Sequence, residues 1–228
     1  MSRRGGGRGG SSGYGSGRGG GRSGGDPRIS FSGREIRDLV VAWLALGVAF
    51  AIFLNRGLLD ATLAGVGAPG ELLAALVIAL LTAGLGFLLH ELAHKVVAVR
   101  FGQVAGFQAD YGMLFLTVVS ALAGFLFAAP GAVVHRGRIT ERENGLIALA
   151  GPVTNLGLAA LFLAPAFVGP DLVRDIGSQG VFINLLLAGF NMIPFGPLDG
   201  RKVISWSLPV YLAVAVPSIG LVVAIFFL

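Results

Sequence analysis

LLAALVIALLTAGLGFLLHELAHKVVAV, residues 72–99, is an apolar run of 28 residues interrupted near its end by His90, Glu91 and His94, with Lys95 following. About 20 such residues suffice to cross a bilayer, so the run reads as a membrane span. Each charge at that depth costs roughly 2.5–3.5 kcal/mol even on lenient insertion scales, which makes an ionisable cluster there a functional site by default. Residues four apart share a helix face, so the imidazoles of His90 and His94 can reach one Zn²⁺. Glu91, one step round the helix, can reach a water beside it. The chain holds only three histidines, and two of them form this pair. H-E-x-x-H arises by chance in soluble helices; inside a span it is a specific signal.

The composition sets the solvent. With 228 residues, 54% of them hydrophobic, and a mean hydropathy of +0.81, the chain is too apolar for a soluble domain and is read as an α-helical polytopic membrane protein in a lipid bilayer. There is no cysteine, which excludes disulfides, thiolate zinc ligands and thiol catalysis. The formal charge of +5 resembles a nucleic-acid signal until it is located: residues 1–28 hold six Arg and one Asp, and the remainder is balanced. That stretch has thirteen glycines and almost nothing apolar, so disorder is expected over a tail of residues 1–33. A single aromatic, Tyr14, makes nucleic acid an unlikely partner beyond a weak contact through the tail. The first apolar run, Ile36–Leu54, is too long for a secretory signal and reads as a retained anchor.

The further runs are Met113–Ala129, Leu146–Val168, Val181–Asn191 and Val203–Leu228. Arg28, Arg34 and Arg37, together with the tail, put the N-terminus in the cytoplasm by the positive-inside rule. The second span then runs inward, with its histidines toward the cytoplasmic end. A third ligand is required, since catalytic zinc commonly takes three protein ligands plus water, His₂-carboxylate among the known sets. Asp199 is the best candidate, because Pro194 and Pro197 break the helix ahead of it, and broken backbone at membrane depth is tolerated where it lines a site. A full crossing by Met113–Ala129 would leave Asp199 on the opposite side from His90. That run, 17 residues with Gly124 inside, is therefore expected to be a re-entrant or interfacial hairpin. The expectation is about five spans plus one hairpin in a domain over residues 34–228, with a zinc core at about 72–205.

The chain resembles the site-2 protease family of intramembrane zinc metalloproteases through three motifs: His90-Glu91-Leu92-Ala93-His94, then Ala150-Gly151-Pro152-Val153-Thr154-Asn155, then Asn191 through Pro194 and Pro197 to Asp199-Gly200. The likeness covers about residues 36–205 and rests most on the first and third motifs. It implies one Zn²⁺ per chain held by His90, His94 and Asp199, with Glu91 as general base and acid. It also implies Asn191 near the scissile carbonyl, and a transmembrane protein as substrate in a prokaryotic cell membrane. Gly151 and Pro152 are expected to be structural, and Asn155 to hydrogen-bond within the core. No stretch is long enough for the peptide-binding insert of many members, none follows Leu228 for the nucleotide-sensing pair of others, and Arg201 replaces a second glycine after Asp199-Gly200.

A helical substrate hides its carbonyls, so it must unwind before hydrolysis. The loops Phe101–Ala109 and Val133–Gly137 are candidates for offering it a strand edge. His135, beside Arg136, is expected to be a solvated surface residue, Asn184 part of an inter-helix polar seam, and Trp43 and Trp206 packing or interfacial residues. The competing reading is a non-catalytic metal-binding scaffold or transporter-like protein, against which the intact Glu91 argues.

Overall fold

The computed structural model describes residues 29–127 and 130–227. The tail over 1–28, and Ala128 and Ala129 of the expected hairpin, lie outside the described residues. Helix α1 (Gly33–Leu54) begins where Ser32, itself extended, accepts a hydrogen bond from the Glu35 N–H, and residues 29–32 ahead of it have no regular structure, with the Ser30 carbonyl accepting from Lys95 at 2.5 Å. A short helix α2 (Arg56–Leu63) leads into α3 (Pro69–Ala79). A π-helical stretch, Leu80–Gly84, joins α3 to α4 (Leu85–Arg100), forming one 32-residue apolar rod. Trp43 of α1 donates to the Leu80 carbonyl at 3.1 Å, tying the anchor to that wider turn.

After α4 the chain forms strand β1 (Val104–Ala109), helix α5 (Tyr111–Leu122) and strand β2 (Gly131–Arg136). The strands pair antiparallel from Val104↔Arg136 to Ala109↔Gly131, and the Asp110 N–H donates to the Pro130 carbonyl at 3.1 Å. Both ends of the α5 segment thus lie at one level. Twelve helical residues reach about 18 Å, short of a hydrocarbon core of about 30 Å, so the helix is too short to span and its two ends stay together at the strand pair. This is the re-entrant or interfacial hairpin that the ligand argument requires.

Helix α6 (Glu141–Val168) starts with a reciprocal capping box between Thr140 and Glu143. It packs along α4 and along α7 (Asp171–Asn191). Beyond α7, residues 192–198 form turns around the two prolines, and the last run divides into α8 (Asp199–Trp206) and α9 (Leu208–Phe227) at extended Ser207. Among the described residues four helices are long and apolar enough to cross a membrane: Gly33–Leu54, Pro69–Arg100, Glu141–Val168 and Leu208–Ile225. The fifth expected span, Val181–Asn191, is the second half of α7. The first half carries Asp171, Arg174 and Asp175, and α6, α9 and the π-helical stretch cover much of this helix, so it need not be lipid-like. The main core joins Leu46 and Phe50 of α1, Phe87 of α4, Phe107 of β1, Leu114 of α5 and Ile183 of α7.

Candidate metal centre and active site

His90 and His94 project from one face of α4, their rings edge to face with centroids 4.6 Å apart. Their Nδ1 atoms are already engaged. His90 Nδ1 lies 2.5 Å from Asn155 Oδ1, and His94 Nδ1 lies 2.7 Å from the Ile147 carbonyl, both acceptors on α6. The Asn155 amide is oriented unambiguously, because its Nδ2 donates to the Gly86 carbonyl at 3.2 Å and to Asn184 Oδ1 at 2.9 Å. Each Nδ1 must therefore carry a proton, which in the neutral ring leaves a lone pair on each Nε2. Asn155 does hydrogen-bond in the core, as expected, but its partner is the first motif histidine. Asn184 completes the anticipated polar seam.

Those two Nε2 atoms lie 3.3 Å (His90) and 3.1 Å (His94) from Asp199 Oδ2. Three lone pairs face one point, an arrangement that is repulsive unless a cation sits among them. A tetrahedral zinc with bonds of about 2.0–2.1 Å separates its ligand atoms by about 3.3 Å, so this donor set fits the ion. All three residues are buried. Asp199 reaches the point because Pro194 and Pro197 keep the preceding segment out of a helix and α8 starts at Asp199 itself. Gly200 is needed next to it, since a Cβ there would collide with the Met192 carbonyl. Gly151 of α6 has a comparable duty: a Cβ would strike His90 Nε2 and His94 Nε2. The structural role expected of Gly151 is thus to let α6 lie against the imidazoles.

Glu91 is buried beside the histidines, with ligand-capable atoms of His90, Glu91 and His94 all within 4.8 Å of one another. Its Oε2 accepts from the Val133 N–H of β2 at 3.2 Å. Asn191, at the end of α7, donates from Nδ2 to the Leu187 carbonyl at 2.9 Å and lines the same cavity. That cavity, about 380 Å³, is lined by the polar His90, Glu91, His94, Asn191 and Asp199 and by the apolar Leu46, Phe50, Phe87, Phe182 and Phe190. His135 departs from expectation. It is half-buried in β2 and lines this cavity with Lys202, two residues along the strand from Val133. Burial pushes its imidazole below the usual range, and the nearby Lys202 charge adds to the effect. The adjoining arginine suggested a solvated loop; alternation along β2 was the signal that could have placed His135 inward.

The sequence has relatives among curated proteins. The Methanocaldococcus jannaschii protein named “Putative zinc metalloprotease MJ0611” is 39% identical over 194 residues, covering 83% of this chain and 93% of its own. The chain belongs to the site-2 protease family of intramembrane zinc metalloproteases. YwhC of Bacillus subtilis is 34% identical over 164 residues, covering 62% of this chain and 72% of its own. Rip2 of Mycobacterium tuberculosis is 33% identical over 129 residues, about half of each chain. No family model matches the sequence, and no solved structure matches it. As a site-2 protease the chain is a multi-pass membrane metalloendopeptidase, and its buried His90, Glu91 and His94 form a cluster able to hold a single zinc ion.

Proposed function

We propose that the protein hydrolyses peptide bonds within or beside the transmembrane segments of membrane-anchored proteins, in regulated intramembrane proteolysis. His90, His94 and Asp199 hold one zinc, Glu91 serves as general base and then general acid, and Asn191 assists at the scissile carbonyl. The observation that carries this reading is the convergence of the two Nε2 atoms and Asp199 Oδ2 within 3.1–3.3 Å, beside a carboxylate not in that set. A zinc ion there supplies Lewis-acid chemistry, activating water and polarising a carbonyl.

The chain's own residues do the rest. Asn155 and the Ile147 carbonyl fix both imidazoles, so no reorganisation is needed on binding. Glu91 takes the proton of the attacking water and delivers it to the departing amine. The second N–H of the Asn191 amide is a donor for the developing oxyanion. Gly131, Val133 and His135 share the outer edge of β2, which faces the cavity; the Val133 N–H donates to Glu91, and the rest of that edge offers pairing to an unwound, extended substrate. Arginine density around the start of α1 supports a cytoplasmic N-terminus, with the site near that face. Glu91→Gln is the test: it should retain one zinc per chain while cleavage of a single-span substrate falls by about 10²–10⁴-fold, the range of general acid–base catalysis. Turnover at the wild-type rate would refute the assignment.

A further inference from the structure

Lys95, next to the second motif histidine, is almost fully buried, yet the chemistry above makes no use of it. Its ammonium lies 2.6 Å from Glu35 Oε1 of α1, 2.5 Å from the Ser30 carbonyl, and 3.6 Å from the centre of the Phe31 ring. Glu35 Oε1 also accepts from the Phe107 N–H of β1 at 3.1 Å. One turn along α1, buried Asp38 accepts from the Ala109 N–H at 3.4 Å and from the Tyr111 hydroxyl at 2.7 Å. Burying two carboxylates and an ammonium costs several kcal/mol per ion unless each is paired, so a cluster satisfied this fully serves a purpose.

The strand register shows what it does. In an antiparallel pair, residues directly opposite each other either both point their amides inward or both point them outward. Phe107 is opposite Val133, and Ala109 is opposite Gly131. Phe107 and Ala109 donate outward to α1, so Val133 must point outward on the other side, and it does, to Glu91. The carboxylates of α1 thus behave as a substitute third strand on β1.

We propose that Glu35, held by Lys95, and Asp38, held by Tyr111, are positioning residues for proteolysis: they close the outer edge of β1, leave the β2 edge on either side of the Val133–Glu91 bond for the substrate, and fix that edge against Glu91. This rests on the proposed function, and specifically on strand pairing at β2. A substrate strand laid along β2 is then registered by α1 through two layers of hydrogen bonds, so loosening the clasp should blur which peptide bond meets the site.

The test uses the full chain in proteoliposomes with a single-span substrate. Asp38→Ala should keep one zinc and a kcat near that of the wild type. Its KM should rise about tenfold, the weight of one hydrogen bond to a charged group, and the cut should spread over neighbouring bonds by mass spectrometry. Asp38→Asn, which keeps an acceptor, should restore the single cut. Tyr111→Phe, at a half-exposed side chain, should shift KM in the same direction by less, and it decides the matter if Asp38→Ala does not fold. An unchanged KM with a single cut, or a loss confined to kcat or zinc content, overturns the positioning role. A wild type no more active than Glu91→Gln would instead sink the protease reading itself.

Discussion

The two motif histidines are only half of the metal centre; the other half is what holds their Nδ1 atoms. Asn155 binds His90 from 65 positions away in the chain, and it is itself fixed by Gly86 and Asn184. Removing such an outer partner typically weakens metal binding 10–100-fold. Asn155→Ala should therefore raise the zinc Kd by about that factor in a competitive chelator titration, whereas an unchanged Kd would mean that packing alone orients the ring. Gly151 permits a sharper contrast, because a Cβ there meets both Nε2 atoms while Gly157 of the same helix has open space. Gly151→Ala should lose bound zinc and activity. Gly157→Ala should retain both and gain up to about 1 kcal/mol in helix stability. The spacing of Gly151 and Asn155 in the second motif was legible in the sequence; their contact with the imidazoles was not, because no local pattern reports which helix faces α4.

At the scale of elements, the segment from β1 to β2 determines whether a single ion can be shared. The strand pairing and the bond from Asp110 to Pro130 close the loop on one side, so Asp199 and His90 can meet. Because the chain lacks cysteine, single cysteines report topology without background. Cysteines at Tyr111 and Arg136 should both react with an impermeant maleimide from one face of oriented vesicles, and a cysteine at Val66 from the other. Labelling of Tyr111 and Arg136 positions from opposite faces would show a full crossing by α5 and would separate the proposed ligands. Length, and the need for Asp199 and His90 to share one ion, pointed to this hairpin beforehand. The strands themselves were visible only as candidate loops, since six-residue segments with glycine and mixed polarity have too weak a period to read alone.

For the molecule as a whole, much of the scaffold is held by contacts that do not pass through the metal ligands. The Lys95 clasp, the capping box of α6 and the α1–α4–α7 core include none of His90, His94 and Asp199. Chelation should therefore abolish cleavage while helical circular dichroism persists. Thermal stability should fall by the linkage term, about 2.7 kcal/mol when free zinc had stood 100-fold above Kd. Collapse of the helical signal on chelation would show that the ion organises the fold. Deleting residues 2–28 should leave zinc content and cleavage intact, because Ser30 and Phe31, which hold Lys95, are kept; a loss of activity would assign the basic tail a part in catalysis.

Periodicity, charge placement and proline positions are local properties, and they alone determined that this chain spans a bilayer, that His90 and His94 share a face, and that the backbone breaks before Asp199. Tertiary structure alone decided that Asn155 and Ile147 fix the imidazoles, that His135 turns into the cavity, and that Glu35, Asp38 and Lys95 close one edge of the hairpin. Those outcomes join residues distant in sequence, and they arise because a buried polar group must find its partner wherever packing happens to bring one.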